Sequence, residues 1–436
     1  MAEREASCED PFDALIPVER ARARMLSALS PVAGAPERLP LDRATGRILA
    51  SAVVAAFDVP ASANSAMDGY AIAAADIPAD GRIALRVVGS AWAGRPFQGA
   101  CARGCAVRIF TGALMPDGTD TVVMQEHVER SEDDAGARIL IDHTVAPSRH
   151  VRAAGEDVAA GERLFPAGRR LGAADIGVLA SLGVAGVEVH RRLRVACFTT
   201  GDELVSLQAA ASGDVSDHTA PRPPGPGLLY DSNRYTLASL LSGLDVELID
   251  LGIVADTPEA TRAAFDGAAA QADLVISSGG ISTGEADHVR EIFHERGEIG
   301  FWRLAMRPGR PLAFGRIGQA VFFGLPGNPV AVMVTFLQFV QPALRVLAGE
   351  VATAPLVLPA RAVSPMNKAL GRTEFLRGVA TLDEHGELVV STTGPQGAGR
   401  LSSMAAANCL IVIDPDVARV APGDRVGVQL LHGLLP

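Results

Sequence analysis

The hydrophobic pattern changes along the chain, and each pattern predicts a different kind of structure. From residue 194 onward, short and almost uninterrupted apolar runs alternate with longer amphipathic stretches. This alternation predicts strands buried on both faces with helices between them, as in an open α/β sheet. The predicted strands are residues 194–200, 246–253, 273–278 and 320–324, and the predicted helices are residues 230–241, 258–272, 285–295 and 330–347.

The segments on either side of this region favour short strands and turns. Residues 61–149 and the region after residue 354 consist of brief apolar runs separated by Gly, Pro and Asp, a pattern typical of small β domains. A helix is predicted at residues 18–29, and a series of glycine turns follows residue 150. The predicted domains are a discontinuous linking domain (11–60 and 150–192), a β-rich domain (61–149), an α/β domain (193–350) and a C-terminal β domain (351–436).

Composition narrows the function classes. Hydrophobic residues make up 48% and charged residues 20% of the 436 residues, which excludes a disordered chain. A formal net charge of −11 argues against a general binder of nucleic acid or of anionic membranes. Residues 317–344 are uncharged, but the turn at 325–329 predicts a strand and a buried helix rather than a membrane span. Residues 1–13 lack an apolar segment and the five cysteines are scattered, so we expect a cytoplasmic protein.

Polar loops follow the predicted α/β strands, at the edge where open α/β sheets bind ligands. The loop after the third strand contains Gly279 and Gly280, followed by Ser282 and other small hydroxyl residues. Glycines allow a phosphate to approach the backbone, and the N–H groups of the helix that follows can donate to it. An ordinary strand-to-helix turn is also rich in Gly and Ser, and the run of serines favours ligand binding. The loop after the fourth strand carries Pro326 and Pro329.

Carboxylates occur at three of these strand ends, in Glu203, Asp256 and Asp287. Mg²⁺ prefers one or two carboxylates together with substrate phosphates. Each acid alone could be a residue of a helix N-terminus, and this is the simpler interpretation of Asp256 by itself. The three together predict a magnesium site.

Positive charge is concentrated in one segment. Residues 299–349 contain no Asp or Glu but several arginines, of which Arg307 and Arg310 flank a Pro-Gly turn. Such a turn would hold both guanidinium groups near one point, where they could bind an oxyanion bidentately. Solvated surface arginines are the alternative, and the apolar flanking residues favour an oxyanion pocket. Segments 371–377 and 397–404 carry similar Arg, Ser and Gly residues, which in isolation predict β-hairpin turns.

A set of motifs in a fixed order identifies a family. The motifs are SAMDGYA, RIFTGALMPDG, TTGDEL, YDSNRYTL, SSGGISTGEADHV, FWRLAMRPGRPLAFG, FGLPGNPV, GRTEFLRG and LSSMAAANC. Together they resemble the MoeA / gephyrin E-domain family, the molybdopterin molybdenumtransferases, from Val18 to the C-terminus.

The resemblance implies an elongated homodimer with a discontinuous linking domain, a β-rich domain, an α/β domain of the molybdopterin-binding type and a C-terminal β-barrel. It implies that adenylylated molybdopterin and molybdate react, with Mg²⁺, to give molybdenum cofactor, AMP and water. The active site would lie between the α/β domain of one subunit and the β-rich domain of the other. An upstream adenylyltransferase is an implied partner.

Residue roles follow from the matching motifs. Catalytic roles are implied for Asp68, Thr111, Glu203, Asp256, Asp287, Arg303 and Arg307, with Glu203, Asp256 and Asp287 also around Mg²⁺. Binding roles are implied for Gly279, Gly280, Ser282, Arg310, Pro326, Pro329, Arg372, Arg377 and Ser403. The candidates for holding molybdate are Arg307, Arg310, Arg372, Arg377 and Ser403. The chain departs from the family pattern in carrying arginines where relatives usually have lysines, and Ala331 where they often have Ser.

Two alternative functions remain at this point. One is the preceding step, adenylyl transfer from Mg-ATP to molybdopterin, because the α/β domain is common to both steps. The other is a non-catalytic scaffold of cofactor assembly. No function is assigned to the Pro- and Gly-rich loop at residues 209–227.

Overall fold

The structure is a computed structural model that describes residues 15–32, 34–79, 81–133, 136–207, 223–280, 299–351 and 354–431. The predicted helix 285–295 and the predicted site residues Ser282 and Asp287 lie outside the described residues. The boundaries of the four predicted domains stay a prediction.

The helices and strands are numbered in chain order. The helices are α1 (Val18–Ser27), α2 (Ala173–Ser181), α3 (Ser232–Ser242), α4 (Pro258–Ala269), α5 (Pro329–Thr335), α6 (Gln341–Leu347) and α7 (Leu401–Ala405), with short 3-10 helices at Leu41–Arg43, Ala74–Asp76 and Gln125–His127. The first strands are β1 (Glu37–Pro40), β2 (Val53–Val54), β3 (Asn64–Ser65), β4 (Gly69–Ile72), β5 (Arg82–Ala91), β6 (Cys105–Ile109), β7 (Thr121–Met124), β8 (Glu129–Asp133), β9 (Gly136–Asp142), β10 (Val151–Arg152), β11 (Arg163–Phe165) and β12 (Gly186–Val189). The later strands are β13 (Arg194–Thr200), β14 (Leu204–Val205), β15 (Leu229–Tyr230), β16 (Glu247–Val254), β17 (Leu274–Ser278), β18 (Ile299–Arg303), β19 (Met306–Arg307), β20 (Pro311–Ile317), β21 (Ala320–Leu325), β22 (Leu358–Ala362), β23 (Met366–Asn367), β24 (Thr373–Leu382), β25 (Leu388–Thr392), β26 (Cys409–Ile413), β27 (Arg419–Val420) and β28 (Arg425–Leu430).

Three short antiparallel pairs join an early segment of the chain to a later one. They are β1 with β12, β2 with β11, and β3 with β10. Apolar side chains from both segments, such as Leu49, Phe165 and Val189, share one buried cluster. Because neither segment could cover these side chains alone, the two segments pack as one unit around the inserted β-rich sheet.

The inserted sheet has the strand order β7-β4-β6-β5-β9-β8, and its pairs are antiparallel except for β5 with β6. Both of its faces carry buried apolar clusters. Gly69 at the start of β4 is paired with Ile109 at the end of β6. This register brings the turn before β4 next to the turn after β6, so Asp68 and Thr111 lie at the same end of the sheet.

The α/β sheet has the order β16-β13-β17-β21-β20-β18. Strands β16, β13, β17 and β21 are parallel, and this confirms the predicted open α/β sheet. Strands β20 and β18 extend it in the antiparallel sense. The predicted Pro-Gly turn lies between Arg307 and Arg310, but the strands β18 and β20 on either side of this segment were not predicted. Strand β20 forms here because Leu312 and Phe314 are buried in the core of this domain.

One continuous helix, Pro329–Leu347, consists of α5, a π-helical segment at Phe336–Val340, and α6. In the part of the chain that the structure describes, it is the one helix long and apolar enough to span a membrane, with a mean hydropathy of 1.6, but 78% of it is buried. Gln338 within it accepts a 2.6 Å hydrogen bond from Arg22 Nη2 of α1 and donates a 2.7 Å bond to Gln429 Oε1 of β28. The helix is therefore packed between neighbouring elements, as predicted for residues 330–347.

The C-terminal sheet closes on itself. Strands β24-β25-β22-β28-β26 form a ring because β26 also pairs with β24. This five-stranded ring confirms the C-terminal β-barrel that the family resemblance implied. Strand β19, from the turn between β18 and β20, pairs in parallel with β24, and Thr373 N–H donates to Ala305 O at 2.9 Å. The arginine-bearing turn is thus held between the α/β sheet and the barrel.

The segment 397–404 is not the hairpin turn that its composition predicts in isolation. It contains the short helix α7, with Ser403 and Met404 buried. Met404 belongs to the same apolar cluster as residues of the α/β domain, so packing between domains favours a helical turn that local composition does not indicate.

Candidate active site

A cleft of about 520 Å³ opens at the carboxyl ends of β13, β17 and β21. Seven of the residues singled out from the sequence line it: Glu203, Asp256, Gly279, Gly280, Arg307, Arg310 and Pro326. Loops that are far apart in the sequence meet here because parallel strands end at the same edge of the sheet. Ala398 of the C-terminal region closes one side.

Gly279 allows two strand ends to approach each other. Its φ is +93°, and a Cβ at this position would lie 2.3 Å from the carbonyl oxygen of Thr200. Its N–H donates to Leu325 O at 3.1 Å, so this amide is engaged within the protein and does not point to a ligand. Gly280 follows with a φ of +65°. Gly279 is required for close backbone approach, and that requirement explains it better than direct phosphate binding does.

Two carboxylates line the cleft. Asp256, at the end of β16, accepts a 3.3 Å hydrogen bond from Thr200 Oγ1. Glu203 lies over Gly201, where a Cβ would come within 2.7 Å of the Glu203 carboxylate, so Gly201 leaves room for it. Among the described residues, no group of three or more His, Cys, Asp or Glu side chains is arranged to hold a metal. The structure therefore brings two of the three predicted magnesium ligands together, and Asp287 lies outside the described residues.

Asn233 was not singled out from the sequence, although it lies in the YDSNRYTL motif. Its Nδ2 donates to Ser278 Oγ at 3.0 Å and to Gly327 O at 2.7 Å, and Ser278 Oγ donates to Pro326 O at 3.2 Å. These bonds join the end of β17 to the turn after β21. Asn233 Oδ1 is buried with no hydrogen-bond partner in the protein, so one acceptor remains at the cleft.

Arg310 carries an unpaired donor in a positively charged region. Its Nε is buried and has no hydrogen-bond partner. Burial lowers the pKa of Arg310, and the neighbouring charges of Arg303 and Arg372 lower it further. A buried Nε without a hydrogen-bond partner, on a side chain repelled by two other cations, is costly unless an anion binds there. Gly309, next to it, has a φ of +97° and packs against Thr335, which fixes the turn.

Arg307 and Arg310 differ in their partners. The Arg307 side chain is 65% exposed, and its Nη1 lies 3.6 Å from the buried carboxylate of Glu374 on the barrel. Arg307 thus bridges the cleft and the barrel. The charged groups near Arg310 are the arginines Arg303 and Arg372 and not a carboxylate. Arg310 is therefore a better candidate than Arg307 for binding an oxyanion.

Arg377 and Ser403 lie together outside the lining of the cleft. The Arg377 side chain is almost fully buried and donates from Nε to Ser403 Oγ at 3.0 Å and from Nη2 to Gly397 O at 3.1 Å. Burial lowers the pKa of Arg377. The next residue, Ala398, accepts a 3.1 Å bond from Val330 N–H at the start of α5. Arg377 and Ser403 therefore help to position Ala398, which lines the cleft, but they do not line the cleft themselves.

Five further sequence-based candidates are also absent from the lining of this cleft, as far as the described residues show it. Pro329 begins α5 beside the cleft, while Arg303 and Arg372 contribute charge near Arg310. Thr111 belongs to the β-rich sheet, as does Asp68, which accepts hydrogen bonds from the Thr111 backbone and hydroxyl groups at 2.8 Å each. The structure brings Asp68 and Thr111 to each other but not to the cleft of the same chain.

Three family models match the chain in order. "MoeA N-terminal region (domain I and II)" matches residues 16–183, "Probable molybdopterin binding domain" matches residues 196–346, and "MoeA C-terminal region (domain IV)" matches residues 359–431. The chain belongs to the MoeA family. This confirms the resemblance that the ordered motifs indicated.

Full-length MoeA relatives are similar throughout. A molybdopterin molybdenumtransferase of Haemophilus influenzae is 39% identical over 422 residues, which is 97% of this chain and 100% of the relative. A molybdopterin molybdenumtransferase of Nostoc sp. is 38% identical over 396 residues, covering 89% and 87% of the two chains. The crystal structure of a moeA protein from Pyrococcus horikoshii OT3 matches with a TM-score of 0.79 at 28% identity, covering 96% of this chain and 100% of that one.

MoeA membership also decides between the functions that the sequence left open. The relatives carry the name of a transferase of molybdenum cofactor biosynthesis, and the likeness covers every region of the chain. The prediction of a molybdenumtransferase is confirmed, and the adenylyltransferase alternative is not favoured.

Proposed function

We propose that this MoeA-family chain inserts molybdate into adenylylated molybdopterin in the cytoplasm and releases AMP. The observation that carries the proposal is the unpaired, buried Arg310 Nε in a cleft that also holds two carboxylates. The reaction has two requirements, and the cleft has residues that suit each. Arg307 and Arg310 suit the binding of a small oxyanion, and the carboxylates of Glu203 and Asp256 suit a site at which a phosphoanhydride is cleaved.

Molybdate is the substrate that the arginines at the cleft fit, namely Arg307 and Arg310 with Arg303 and Arg372 nearby. It is a tetrahedral dianion, and guanidinium groups bind such oxyanions through charge-assisted hydrogen bonds. Arg310 offers a desolvated donor, Arg307 lines the same cleft, and Arg303 and Arg372 add positive charge nearby. Binding of the anion would remove the repulsion among these cations, so the residues position molybdate by charge neutralisation.

Glu203 and Asp256 fit a divalent metal such as Mg²⁺. Both are hard oxygen donors on the same cleft, and Mg²⁺ is commonly held by one or two carboxylates together with substrate phosphates. When bound, the metal would neutralise charge on the phosphoanhydride. The protein contributes the carboxylates and the Thr200 hydroxyl that orients Asp256.

A homodimer completes the proposal. Asp68 and Thr111 form an exposed, hydrogen-bonded pair that does not line the cleft of its own chain. We propose that Asp68 of the partner subunit and Thr111 of the partner subunit enter the cleft across the dimer. The active site would then contain groups from both copies of the chain.

The test is molybdate-dependent release of AMP from adenylylated molybdopterin, measured while Mg²⁺ is varied. We expect Glu203→Gln to lower the rate strongly and to raise the Mg²⁺ concentration required. Asp202→Asn is the matched control, since Asp202 is the neighbouring exposed acid and does not line the cleft. A Glu203→Gln enzyme that matches the wild type at every Mg²⁺ concentration would exclude the proposed role of Glu203.

Two outcomes would overturn the proposed reaction. Consumption of ATP with molybdopterin, without molybdate-dependent AMP release, would indicate the adenylyltransferase instead. Unchanged molybdenum cofactor levels in a strain deleted for this chain would indicate a scaffold.

A further inference from the structure

An exposed tryptophan lies beside the Asp68–Thr111 pair. Trp92 and Arg95 exchange backbone hydrogen bonds of 2.9 Å in both directions, which forms a tight turn after β5. This turn abuts the one that carries Thr111: Phe110 N–H donates to Ala91 O at 3.2 Å, and a Cβ at Gly112 would lie 3.9 Å from Ala93 Cβ. The indole is therefore built into the same surface as the pair.

The orientation of the Trp92 ring is fixed by the protein. It stacks on Phe110 with ring centroids 3.8 Å apart and an angle of 15° between the planes. The Arg108 guanidinium carbon lies 4.7 Å from the centroid of the same Phe110 ring, and its Nη1 donates to Gly69 O at 2.9 Å. A ring held in this way loses little further freedom when a ligand binds to it.

Half of this residue remains open to solvent. Trp92 is 51% exposed although one of its faces is covered by Phe110, so the opposite face is presented outward. Met67 and Leu114 near the same pair are 41% and 43% exposed. A flat, rigid and open aromatic face next to a proposed reacting carboxylate is suited to stacking against another planar ring.

We propose that the open face of Trp92 stacks on a fused heterocycle of the substrate. This inference rests on the proposed function, in which Asp68 and Thr111 approach the cleft of the partner subunit. Adenylylated molybdopterin carries a fused heterocycle at each end. The adenine is planar throughout and the pterin has a planar pyrimidine ring, so both offer a face that stacks on tryptophan. Trp92 is thereby a substrate-binding residue that the β-rich domain contributes together with Asp68.

Binding measurements on the full chain test the proposal and identify the ring. AMP and 6-hydroxymethylpterin are titrated separately by calorimetry into the wild type, Trp92→Phe and Trp92→Leu. Trp92→Leu keeps an apolar contact with Phe110 but removes the aromatic face, and we expect it to weaken one of the two probes about tenfold to hundredfold. Trp92→Phe should retain most of the affinity. If Trp92→Leu loses affinity for AMP, the stacking partner of Trp92 is the adenine. If it loses affinity for 6-hydroxymethylpterin, the partner is the pterin ring.

A fluorescence arm reports on the same ring directly. The chain has two tryptophans, so Trp302→Phe leaves Trp92 as the one tryptophan, which is excited selectively at about 295 nm or above, where tyrosine no longer absorbs. We expect the affected probe to change this emission at the concentrations at which calorimetry detects binding. Steady-state kinetics of Trp92→Leu should show an increased KM for adenylylated molybdopterin with a smaller change in kcat.

The outcomes separate the two proposals. Unchanged affinity for both probes in Trp92→Leu overturns the stacking role, whatever the activity of the enzyme. Dissociation of the Trp92→Leu dimer in light scattering, with probe affinity intact, also overturns it and assigns Trp92 to the subunit interface. If the wild type fails to release AMP with molybdate but Trp92-dependent binding persists, the proposed function fails and the stacking site remains.

Discussion

The Asp68 carboxylate accepts two hydrogen bonds from Thr111, one from the backbone N–H and one from the hydroxyl, both to Oδ1 at 2.8 Å. These bonds, the backbone one first, hold the pKa of Asp68 below its ordinary value because they stabilise the ionised form. The two residues lie 43 positions apart, and the pairing of β4 with β6 brings them together. Asp68 is therefore an anion, oriented from one side, throughout the neutral pH range.

Replacing Thr111 by Val removes the hydroxyl bond and leaves the backbone bond. We expect the pKa of Asp68 to rise toward its ordinary value. In the wild type, the ionised form of Asp68 is lost only when the pH falls through the lowered pKa. A raised pKa in Thr111→Val moves this loss, and with it the acid limb of the pH–rate profile, to higher pH. An NMR titration of labelled aspartate checks the shift. Thr111→Ser, which keeps a hydroxyl, is the control, and an unchanged pKa in Thr111→Val would contradict the assignment.

Removing the hydroxyl of Ser403 tests the buried Arg377. Ser403→Ala leaves Arg377 Nε buried without its 3.0 Å partner, so we expect the free energy of unfolding to fall by about 1–3 kcal/mol. Chemical denaturation measures this. Ser402→Ala, at the exposed neighbouring position of α7, should have little effect. If Ser403→Ala instead raised the KM for molybdate at unchanged stability, direct substrate binding by Ser403 would be the better interpretation.

Arg310 should affect binding and stability in opposite directions. Arg310→Gln removes a cation that repels Arg303 and Arg372 and whose Nε has no partner in the protein. We expect the KM for molybdate to rise roughly tenfold or more, from the loss of a charged hydrogen bond. The free energy of unfolding without substrate should stay the same or increase. A destabilised Arg310→Gln protein with normal KM would show that the residue is structural.

Two glycines with nearly the same φ separate backbone strain from close contact. Gly279 has a φ of +93°, and a Cβ added to it would lie 2.3 Å from Thr200 O, whereas Gly423 has a φ of +95° with nothing within 4 Å of an added Cβ. We expect Gly423→Ala to cost about 1–2 kcal/mol from the left-handed conformation alone. Gly279→Ala should cost clearly more and should also abolish activity, because the ends of β13 and β17 must separate. Equal losses of stability, measured by thermal unfolding, would contradict the role of close approach.

Asp273 should make a pH-dependent contribution to stability at the opposite edge of the α/β sheet. Burial alone would raise the pKa of Asp273, but two 2.8 Å bonds from Arg191 and one from Arg194 N–H outweigh it and lower the pKa. The stabilisation is therefore present above the ordinary carboxyl pKa and is lost as the pH falls through the lowered value. We expect Asp273→Asn to cost about 1.5–3 kcal/mol at neutral pH. This difference should shrink in acid, and denaturation at several pH values measures it.

The hydrophobic pattern alone predicts the elements that are locally continuous. Residues 194–200 are both the predicted and the observed β13, since a short apolar run that ends in β-branched residues favours a buried strand. Strands β18 and β20 were missed because an arginine-bearing turn separates them, and because β20 forms by pairing with β21 and β18 by pairing with β20. The pairing of β19 with β24 was missed as well, since a two-residue strand has no periodicity to detect.

The sequence by itself determined the order of the elements, the loops at the strand ends and membership in the MoeA family, because these depend on local patterns and on motifs. Only the tertiary structure decided what each polar residue contacts. Arg310 and Arg377 look equivalent in the sequence. In the structure, Arg310 has an unpaired Nε at the cleft near Arg303 and Arg372, whereas Arg377 is buried against Ser403. The physical reason is that the burial and partners of a guanidinium depend on chain segments far away in sequence, which meet only when the sheets and the barrel pack together.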